Sequence, residues 1–457
     1  MIKKLFLLSV IISQLTISCS SDDNNENSSE QTLEEQIANI IKQPYSKLTP
    51  TEQKVKLEAE ANEMLVQLDK TKKLSAIDAI ENLSRLLGIN SVDIFGGKNG
   101  NEVEDILNVS GVYGIYTWNN TQKIWIKTTS STELKFIFPA KESLTINNAT
   151  LSTKSTSSDI KVNITDTYGN YFYNDETGEY EITDDVNDQI FLPASVDAVL
   201  TIDNTPAATF TQTAKYSNGK EIPNEFAYKM ALSEGYSWEM SGVKATNNTS
   251  KATLTYNGKN LLSFNAGSTA SIDDLLNDDQ LTQYRGKANG LVQILDNFVI
   301  VADMDLATAA SDEAALENTV KYPDYPDYES ANANFKAYYT ALNTYRQKHS
   351  SGSAASFNKN SKLILVSKKD GTKIADIVVR SEKSTDSYTF NLPLWVKYGN
   401  SGYWSWGDGE TFTEEFYNEI YYLKFNDNTE VEMSVYFSAG FENFQTKFED
   451  FIKSFED

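Results

Sequence analysis

Apolar residues at the start of the chain follow helical spacing. Thr32 and Glu35 are spaced as in a capping box, in which the two side chains accept hydrogen bonds from each other's backbone N–H groups. Pro50 fits the first position of a second helix, and Ser75 begins a third helix that ends near Gly88. The pattern therefore predicts three short amphipathic helices in a helical segment over residues 31–95.

From about residue 109 the apolar residues recur at every second position, which is the spacing of a half-buried strand. The run from Leu134 to Phe138 is one clear example. Asn257-Gly258 is a strong signal for a two-residue hairpin turn, because both central residues of such a turn need a positive φ. We therefore predict an antiparallel β-rich domain over residues 105–270.

The remaining part of the chain mixes the two spacings. Asp370-Gly371 joins two alternating runs as a hairpin, whereas residues 306–320 and 331–347 have helical spacing. The Ser-Ser-Gly-Ser run at 350–353 is interpreted as a flexible connection. These features predict an α+β domain over residues 271–457.

A last hairpin is expected at Asp427-Asn428, followed by a strand that continues to Phe437. Beyond it, phenylalanines spaced three and four apart from Phe441 onward predict a C-terminal packing helix. The predicted fold class is α+β, with N-terminal short helices followed by antiparallel β-sheets that are rich in hairpins and accompanied by a few packing helices.

The first residues are typical of an export signal. Lys3 and Lys4 precede a short apolar run, which is far too short for the about 20 residues that span a bilayer. We predict a signal peptide over residues 1–18, directly before Cys19. Cys19 is the only cysteine, so a disulfide within the chain is excluded.

Residues 15–19 (Leu-Thr-Ile-Ser-Cys) resemble a bacterial lipobox, although Thr16 stands where that motif usually has leucine. The Ser-, Asp- and Asn-rich residues 20–26 resemble the acidic export tag of Bacteroidetes surface lipoproteins. The resemblance implies acylation of Cys19, a lipidated flexible tether over residues 19–30 and a place on the outer membrane, facing the cell exterior.

Charge narrows the choice of partners. The chain has 64 acidic and 40 basic residues, with a formal net charge of −24. Nucleic acids and anionic membrane surfaces attract cationic patches, so an acidic body argues against both as partners. We expect the protein to contact the membrane through the acyl anchor on Cys19.

Candidate catalytic residues are few. The chain has a single histidine, His349, which we place where a helix ends, and a single cysteine that the anchor uses. These counts argue against Ser-His-Asp and His-rich metal chemistry, so we predict no catalytic residue, no metal and no cofactor. The least favoured alternative is an enzyme with a metal at Asp303 and Asp305, whose strand resembles that of haloacid-dehalogenase-like phosphatases. Ala307 stands where that family has threonine.

Aromatic residues are the better candidates for a ligand site. Tryptophan and tyrosine can stack on sugar rings, while a nearby carboxylate accepts hydroxyl hydrogen bonds. The sequence therefore predicts a lipid-anchored cell-surface protein that binds a glycan or another extracellular ligand. The predicted ligand-binding residues are Trp404, Trp406, Asp408, Trp118, Trp125 and Tyr325.

Two alternatives stay open. In one, a strongly curved open sheet encloses an acyl chain, and its cavity is lined by Tyr228, Met230, Trp238 and Met240. In the other, the protein is a structural scaffold without a small ligand.

Overall fold

The fold is mainly β with some helices, and strands hold 46% of the residues that the structure describes, against 27% in helices. The prediction that strands and helices share the fold is confirmed at that level. The predictions for residues 1–30, Cys19 included, and for most of the C-terminal phenylalanine run concern residues outside the described part of the chain. This computed structural model describes residues 32–68, 74–94, 102–166, 171–174, 177–182, 185–217, 219–277, 284–295, 297–438 and 441.

Helices precede the first described strand and also lie between later strands. Those described are α1 (Leu33–Ile41), α2 (Pro50–Leu68), α3 (Ser75–Ile89), α4 (Val103–Asn108), α5 (Ile272–Asn277), α6 (Leu306–Thr319), α7 (Phe335–Asn360) and α8 (Met433–Ser438). The predicted capping box at the start of α1 is present, with the Thr32 hydroxyl accepting from the Glu35 N–H at 3.2 Å.

The strands described are β1 (Gly114–Asn119), β2 (Ile124–Thr128), β3 (Leu134–Phe138), β4 (Ala149–Asp166), β5 (Tyr171–Asn174), β6 (Glu179–Ile182), β7 (Asp185–Ile202), β8 (Thr205–Lys215), β9 (Glu225–Leu232), β10 (Tyr236–Val243), β11 (Asn248–Tyr256), β12 (Lys259–Ser268), β13 (Lys287–Ile294), β14 (Phe298–Asp305), β15 (Ser361–Ser367), β16 (Thr372–Asn391), β17 (Leu394–Tyr398), β18 (Ser401–Ser405), β19 (Thr411–Lys424) and β20 (Glu430–Glu432).

Sixteen of these strands form one sheet, in the order β2-β1-β3-β4-β7-β8-β9-β10-β11-β12-β13-β14-β15-β16-β19-β20. β1 and β3 pair in parallel, and the other described pairs are antiparallel. The sheet is continuous across the predicted domain boundary at 270, because β12 pairs with β13 from Leu262–Ile294 to Ser268–Ala288.

Local turn chemistry explains the hairpins. Asn257 and Gly258 have φ values of 50° and 74° between β11 and β12, as the turn type requires. Gly371 has a φ of 62° between β15 and β16, and Asn428 one of 64° between β19 and β20. These three predicted turns are confirmed.

Successive residues of β14 show how the later half of the sheet is covered on both faces. Phe298 joins a core cluster with Leu57 of α2, whereas Val299 joins a separate cluster with Ile37 of α1. Neighbouring strand residues point to opposite faces, so the two helices lie on opposite sides of the sheet. The largest cluster lies under the earlier strands and takes its helical side chains mainly from α3, including Leu83.

Two long strand pairs extend beyond their neighbours and are called the first and second arms. In the first arm, β4 pairs with β7 from Ala149–Ile202 to Asp166–Asp185, well past Thr153, where the pairing of β4 with β3 ends at Leu134. In the second arm, β16 pairs with β19 as far as Asn391–Thr411. The chain between the paired strands forms a two-stranded hairpin in each arm, β5–β6 in the first and β17–β18 in the second.

The flexible connection predicted at residues 350–353 is wrong, since α7 continues through it. A Cβ on Gly352 would lie 2.4 Å from a methyl carbon of Leu316, so its missing side chain lets α6 and α7 pack closely. Ser350 and Ala354 are buried on the same helix. The small residues are packing positions, and His349 consequently lies inside the helix instead of at its end.

The strand expected to run to Phe437 is also shorter than predicted. β20 ends at Glu432, and the helix α8 follows. The Tyr436 hydroxyl in α8 donates to the backbone oxygen of Pro50 at 2.9 Å, so the start of α2 holds this segment.

Candidate functional site

The candidate site lies at the end of the second arm. The loop with the two predicted tryptophans begins in β18, which pairs with β17 at Trp395–Trp404 and forms the hairpin between β16 and β19. Trp404 is half-buried and Trp406 is exposed, so both lie away from the sheet core.

Helix α7 runs alongside this arm and is fixed to it by its side chains. The Asn343 amide donates to the Thr413 carbonyl and accepts from the Glu415 N–H, each at 3.0 Å. Arg346 forms an ion pair with Glu414 at 3.0 Å, and both side chains are largely shielded from water. These contacts hold the first turns of α7 against the end of the arm.

Phe335, the first residue of α7, is the centre of an aromatic cluster. It is 3% exposed, and its ring centroid lies 4.8 Å from that of Trp404 and 5.6 Å from that of Trp406. Tyr325 and Tyr328 approach the same ring at 5.8 Å and 6.2 Å. All four contacts are edge-to-face, a favourable arrangement for aromatic pairs.

Hydrogen bonds fix the orientation of these rings. The Trp404 indole N–H donates to the Ser330 carbonyl at 3.2 Å, and the Trp406 N–H donates to the Tyr328 hydroxyl oxygen at 3.2 Å. The Tyr328 hydroxyl in turn donates to the Trp404 carbonyl at 3.3 Å. The indole N–H groups are thus satisfied within the protein, while much of the ring surface meets solvent.

The name aromatic patch is used below for Tyr325, Tyr328, Trp404 and Trp406. Trp406 is 46% exposed, Tyr325 53% and Tyr328 45%, so the patch offers large apolar surface to a ligand. Partial burial raises the pKa of Tyr325, and the nearby Tyr328 adds to this shift.

Charged groups surround the patch. Asp408 is exposed and accepts a hydrogen bond from the Ser405 hydroxyl. Glu410 forms an exposed ion pair with Lys336 at 2.7 Å. A cleft of about 470 Å³ lies beside this ion pair, and Trp404, Lys336 and Glu410 are among its lining residues. The arrangement combines ring faces with carboxylate acceptors.

The structure brings Trp404, Trp406, Asp408 and Tyr325 to one end of the molecule. In the sequence Tyr325 lies far from the tryptophan loop, and Phe335 lies in the predicted helix over residues 331–347, where the apolar residues form one stripe. The apolar spacing of this helix is the one local signal for the central position of Phe335, since the helix must bury its apolar stripe against another element.

Trp118 and Trp125 do not belong to this site. Trp118 is 2% exposed and packs in the largest core cluster, because it shares the inward face of β1 with Tyr116. Trp125 is half-buried, directly opposite Trp118, with the two ring centroids 5.2 Å apart. The exposed stacking surface expected at these two tryptophans is therefore corrected to core packing.

Three of the four residues expected to line an acyl cavity pack against the largest core cluster. This holds for Tyr228, Met230 and Trp238, while Met240 lies opposite Tyr228 in the β9–β10 pair. The Tyr228 ring centroid lies 4.9 Å from that of Phe210, and burial raises the pKa of Tyr228.

The two aspartates at the end of β14 differ in role. Asp305 is the N-cap of α6, where its carboxylate accepts from the Thr308 N–H at 2.9 Å and this bond lowers the pKa of Asp305. Asp303 is exposed and lies opposite Asn289. Among the described residues, no group of three or more His, Cys, Asp or Glu side chains is arranged to hold a metal ion.

Comparison with models of known protein families, with curated proteins and with solved structures finds no match to this chain. In the part of the chain that the structure describes, no helix is long and apolar enough to cross a membrane.

Proposed function

We propose that the protein is a lipid-anchored surface protein that binds an extracellular glycan on the aromatic patch. The observation that carries this proposal is the clustering of Tyr325, Tyr328 and Trp406, each about half exposed, around the buried ring of Phe335. Soluble proteins seldom expose apolar surface in one contiguous area without using it for binding.

The chemistry of the patch favours a sugar over a purely apolar ligand. A pyranose ring has an apolar C–H face that stacks on aromatic rings and hydroxyl groups that donate to carboxylates. Asp408 and Glu410 supply carboxylates beside the rings. The rings are also held in place before a ligand arrives, since their indole N–H groups are bonded within the protein, and such pre-organisation lowers the entropy cost of binding.

A glycan array followed by titration calorimetry tests this proposal on the body of the protein without residues 1–19. We expect Trp406→Ala and Tyr325→Ala each to weaken binding of the best glycan about tenfold or more, because exposed aromatic anchors carry much of a binding free energy. Tyr180→Ala is the matched control, since Tyr180 is 74% exposed on the hairpin of the first arm. Equal losses from Tyr180→Ala, or no bound glycan at all, would contradict the proposal.

The anchor has its own test. Cys19 is the only cysteine, so a thioether-linked lipid on this chain has a single possible position. We expect metabolic labelling with palmitate to mark the protein, and Cys19→Ala to abolish both the label and the recovery in the outer-membrane fraction. Retained labelling in Cys19→Ala would show that the signal is processed in another way.

An acyl-chain carrier is the second candidate, and a different cleft supports it. A cleft of about 560 Å³ has a nearly apolar lining that includes Ile300, Leu363, Ile377 and Met433. These are not the residues that the sequence suggested for a carrier. Native mass spectrometry of the purified protein separates the candidates, because a co-purifying lipid mass that Ile377→Glu removes would favour the carrier.

A further inference from the structure

A second cleft lies beside α7 and has an unusual charge for this protein. It has a volume of about 670 Å³ and lies between α7 and the segment 319–323 that follows α6. Ala337, Thr340, Ala341 and Thr344 form its helical wall. These residues are three, four and seven positions apart, so they share one face of the helix, and their small side chains leave room above it.

Three lysines line this cleft, namely Lys321, Lys336 and Lys348, and no aspartate or glutamate is among its lining residues. The contrast is large, because the whole chain has 64 acidic and 40 basic residues. A concave surface with charges of one sign focuses the electrostatic field and attracts ions of the opposite sign. We refer to this feature as the lysine cleft.

The ammonium groups of the lysine cleft are only partly neutralised. Lys336 pairs with Glu410 at 2.7 Å, but both side chains are more than half exposed, and such pairs are weak. Lys321 donates to the neutral amide oxygen of Asn318 at 3.2 Å. Lys348 has no ion-pair partner among the residues that the structure describes. The cleft thus keeps cationic donors available for an anion.

The lysine cleft adjoins the cleft that Trp404 of the aromatic patch lines. Asn334 and Lys336 line both. Tyr322 strengthens the connection, because its ring centroid lies 5.1 Å from that of Tyr345 in the lysine cleft, and its hydroxyl lies 3.5 Å from that of Tyr338. One extended ligand can therefore reach both surfaces along the first turns of α7.

We propose that the lysine cleft binds the carboxylate or sulfate groups of the glycan, so that the natural ligand is an acidic oligosaccharide. The inference rests on the proposed function, since the aromatic patch stacks on the sugar rings while the lysines select the charge. Ammonium groups form strong hydrogen bonds with anionic oxygens, whereas a neutral glycan gains little from them.

The test uses the protein body on an array that contains neutral, uronate-bearing and sulfated oligosaccharides, and then titrates the best acidic and the best neutral glycan. The test variant carries two substitutions, Lys321→Gln and Lys348→Gln. The control variant carries Lys259→Gln and Lys362→Gln, which replace two exposed lysines on β12 and β15, so its net charge is the same. We expect acidic glycans to dominate, and the test variant to weaken them about tenfold while the control binds like the original protein.

Ionic strength supplies an independent readout. Binding of the acidic glycan should weaken as salt rises, because the screening length falls from about 10 Å at 0.1 M to about 3 Å at 1 M, and this dependence should be smaller in the test variant. If neutral glycans bind as well as acidic ones and the test variant is unchanged, the lysine cleft proposal fails while the aromatic patch stands. If no glycan binds, or if Trp406→Ala leaves binding intact, both the lysine cleft proposal and the proposed function fail.

Discussion

At the residue scale, the side-chain amide of Asn358 in α7 makes the two backbone hydrogen bonds that a neighbouring strand would otherwise make. β15 pairs with β16 only as far as Leu363–Ile377, and beyond this point the Asn358 side chain accepts from the Val379 N–H at 2.8 Å and donates to the Val379 carbonyl at 2.7 Å. Both backbone groups are thereby satisfied where the strand ladder has ended.

Replacing Asn358 with alanine should destabilise the fold by about 1–3 kcal/mol, because two backbone groups lose their partner at a partly buried position. Asn318→Ala is the matched control, since the exposed Asn318 side chain has a hydrogen bond only with the flexible Lys321 amine among the described residues. Urea unfolding followed by circular dichroism measures both variants. Equal free energies of unfolding for the two would show that the Asn358 bridge contributes nothing.

The ion pairs of Asp273 should make the stability of the fold depend on pH. Its carboxylate binds the Lys220 amine at 2.6 Å and also the Lys244 amine, and these bonds lower the pKa of Asp273 below the usual 3.8. A carboxyl whose pKa is lower in the folded state stabilises the fold fully above its ordinary pKa and loses this effect as the pH falls through the folded value.

The free-energy gap between the original protein and Asp273→Asn should therefore be constant above about pH 5 and should shrink below about pH 4. Chemical unfolding at a series of pH values measures this gap. Asp386→Asn removes an exposed carboxylate that has no ion-pair partner in the described part of the chain, and it should show no such loss. A gap that widens in acid would contradict the role of Asp273.

At the element scale, the packing of α6 on α7 depends on Gly352. Alanine in place of a helical glycine usually stabilises by about 0.5–1 kcal/mol. Here the new Cβ would lie 2.4 Å from Leu316, so Gly352→Ala should give no gain, and a gain should reappear when Leu316→Ala makes room. Gly88→Ala in α3 is the control, because a Cβ there has no neighbour within 4 Å.

A double-mutant cycle in urea measures this coupling between positions 352 and 316. If Gly352→Ala stabilises the protein as much as Gly88→Ala does, the close contact between the helices has no energetic importance.

Elements that depend on local signals were predictable from the sequence. The Asn257-Gly258 turn and the alternating run of β3 follow from residues that are adjacent in the chain. The run at 350–353 was misread because serine and glycine are typical of linkers, and only a distant side chain, Leu316, gives them a packing role. The end of the β20 strand was missed for a similar reason, since α8 is held by the distant Pro50 carbonyl.

The candidate site was predictable in its residue types but not in its assembly. Both Trp118 and Trp406 are predicted from the sequence as ligand-binding residues, yet Trp118 is 2% exposed and Trp406 is 46% exposed. The difference arises from position, because Trp118 lies on the inward face of a sheet strand, whereas Trp406 follows the hairpin at the end of an arm. Tyr325 and Trp406 both contact the ring of Phe335, because α7 runs along that arm, and periodicity does not encode such long-range contacts.

At the scale of the whole molecule, the continuous sheet couples the two regions that the sequence divided at residue 270. β12 is bonded to β13 along its length, and Leu295, just past β13, belongs to the same core cluster as Leu261 of β12. Separating the regions would expose a long strand edge and break this cluster, both of which cost free energy.

We therefore expect the two regions to unfold as one cooperative unit. Leu261→Ala, at a position that is 1% exposed, should destabilise the protein by about 2–5 kcal/mol. Val301→Ala, at a position that is 0% exposed in the later region, is the reciprocal variant. Native-state hydrogen exchange should show that each variant lowers the protection of the slowest amides in both β8 and β16 by the same free energy. If each variant weakened only its own side of residue 270, the regions would be independent domains that merely share an edge.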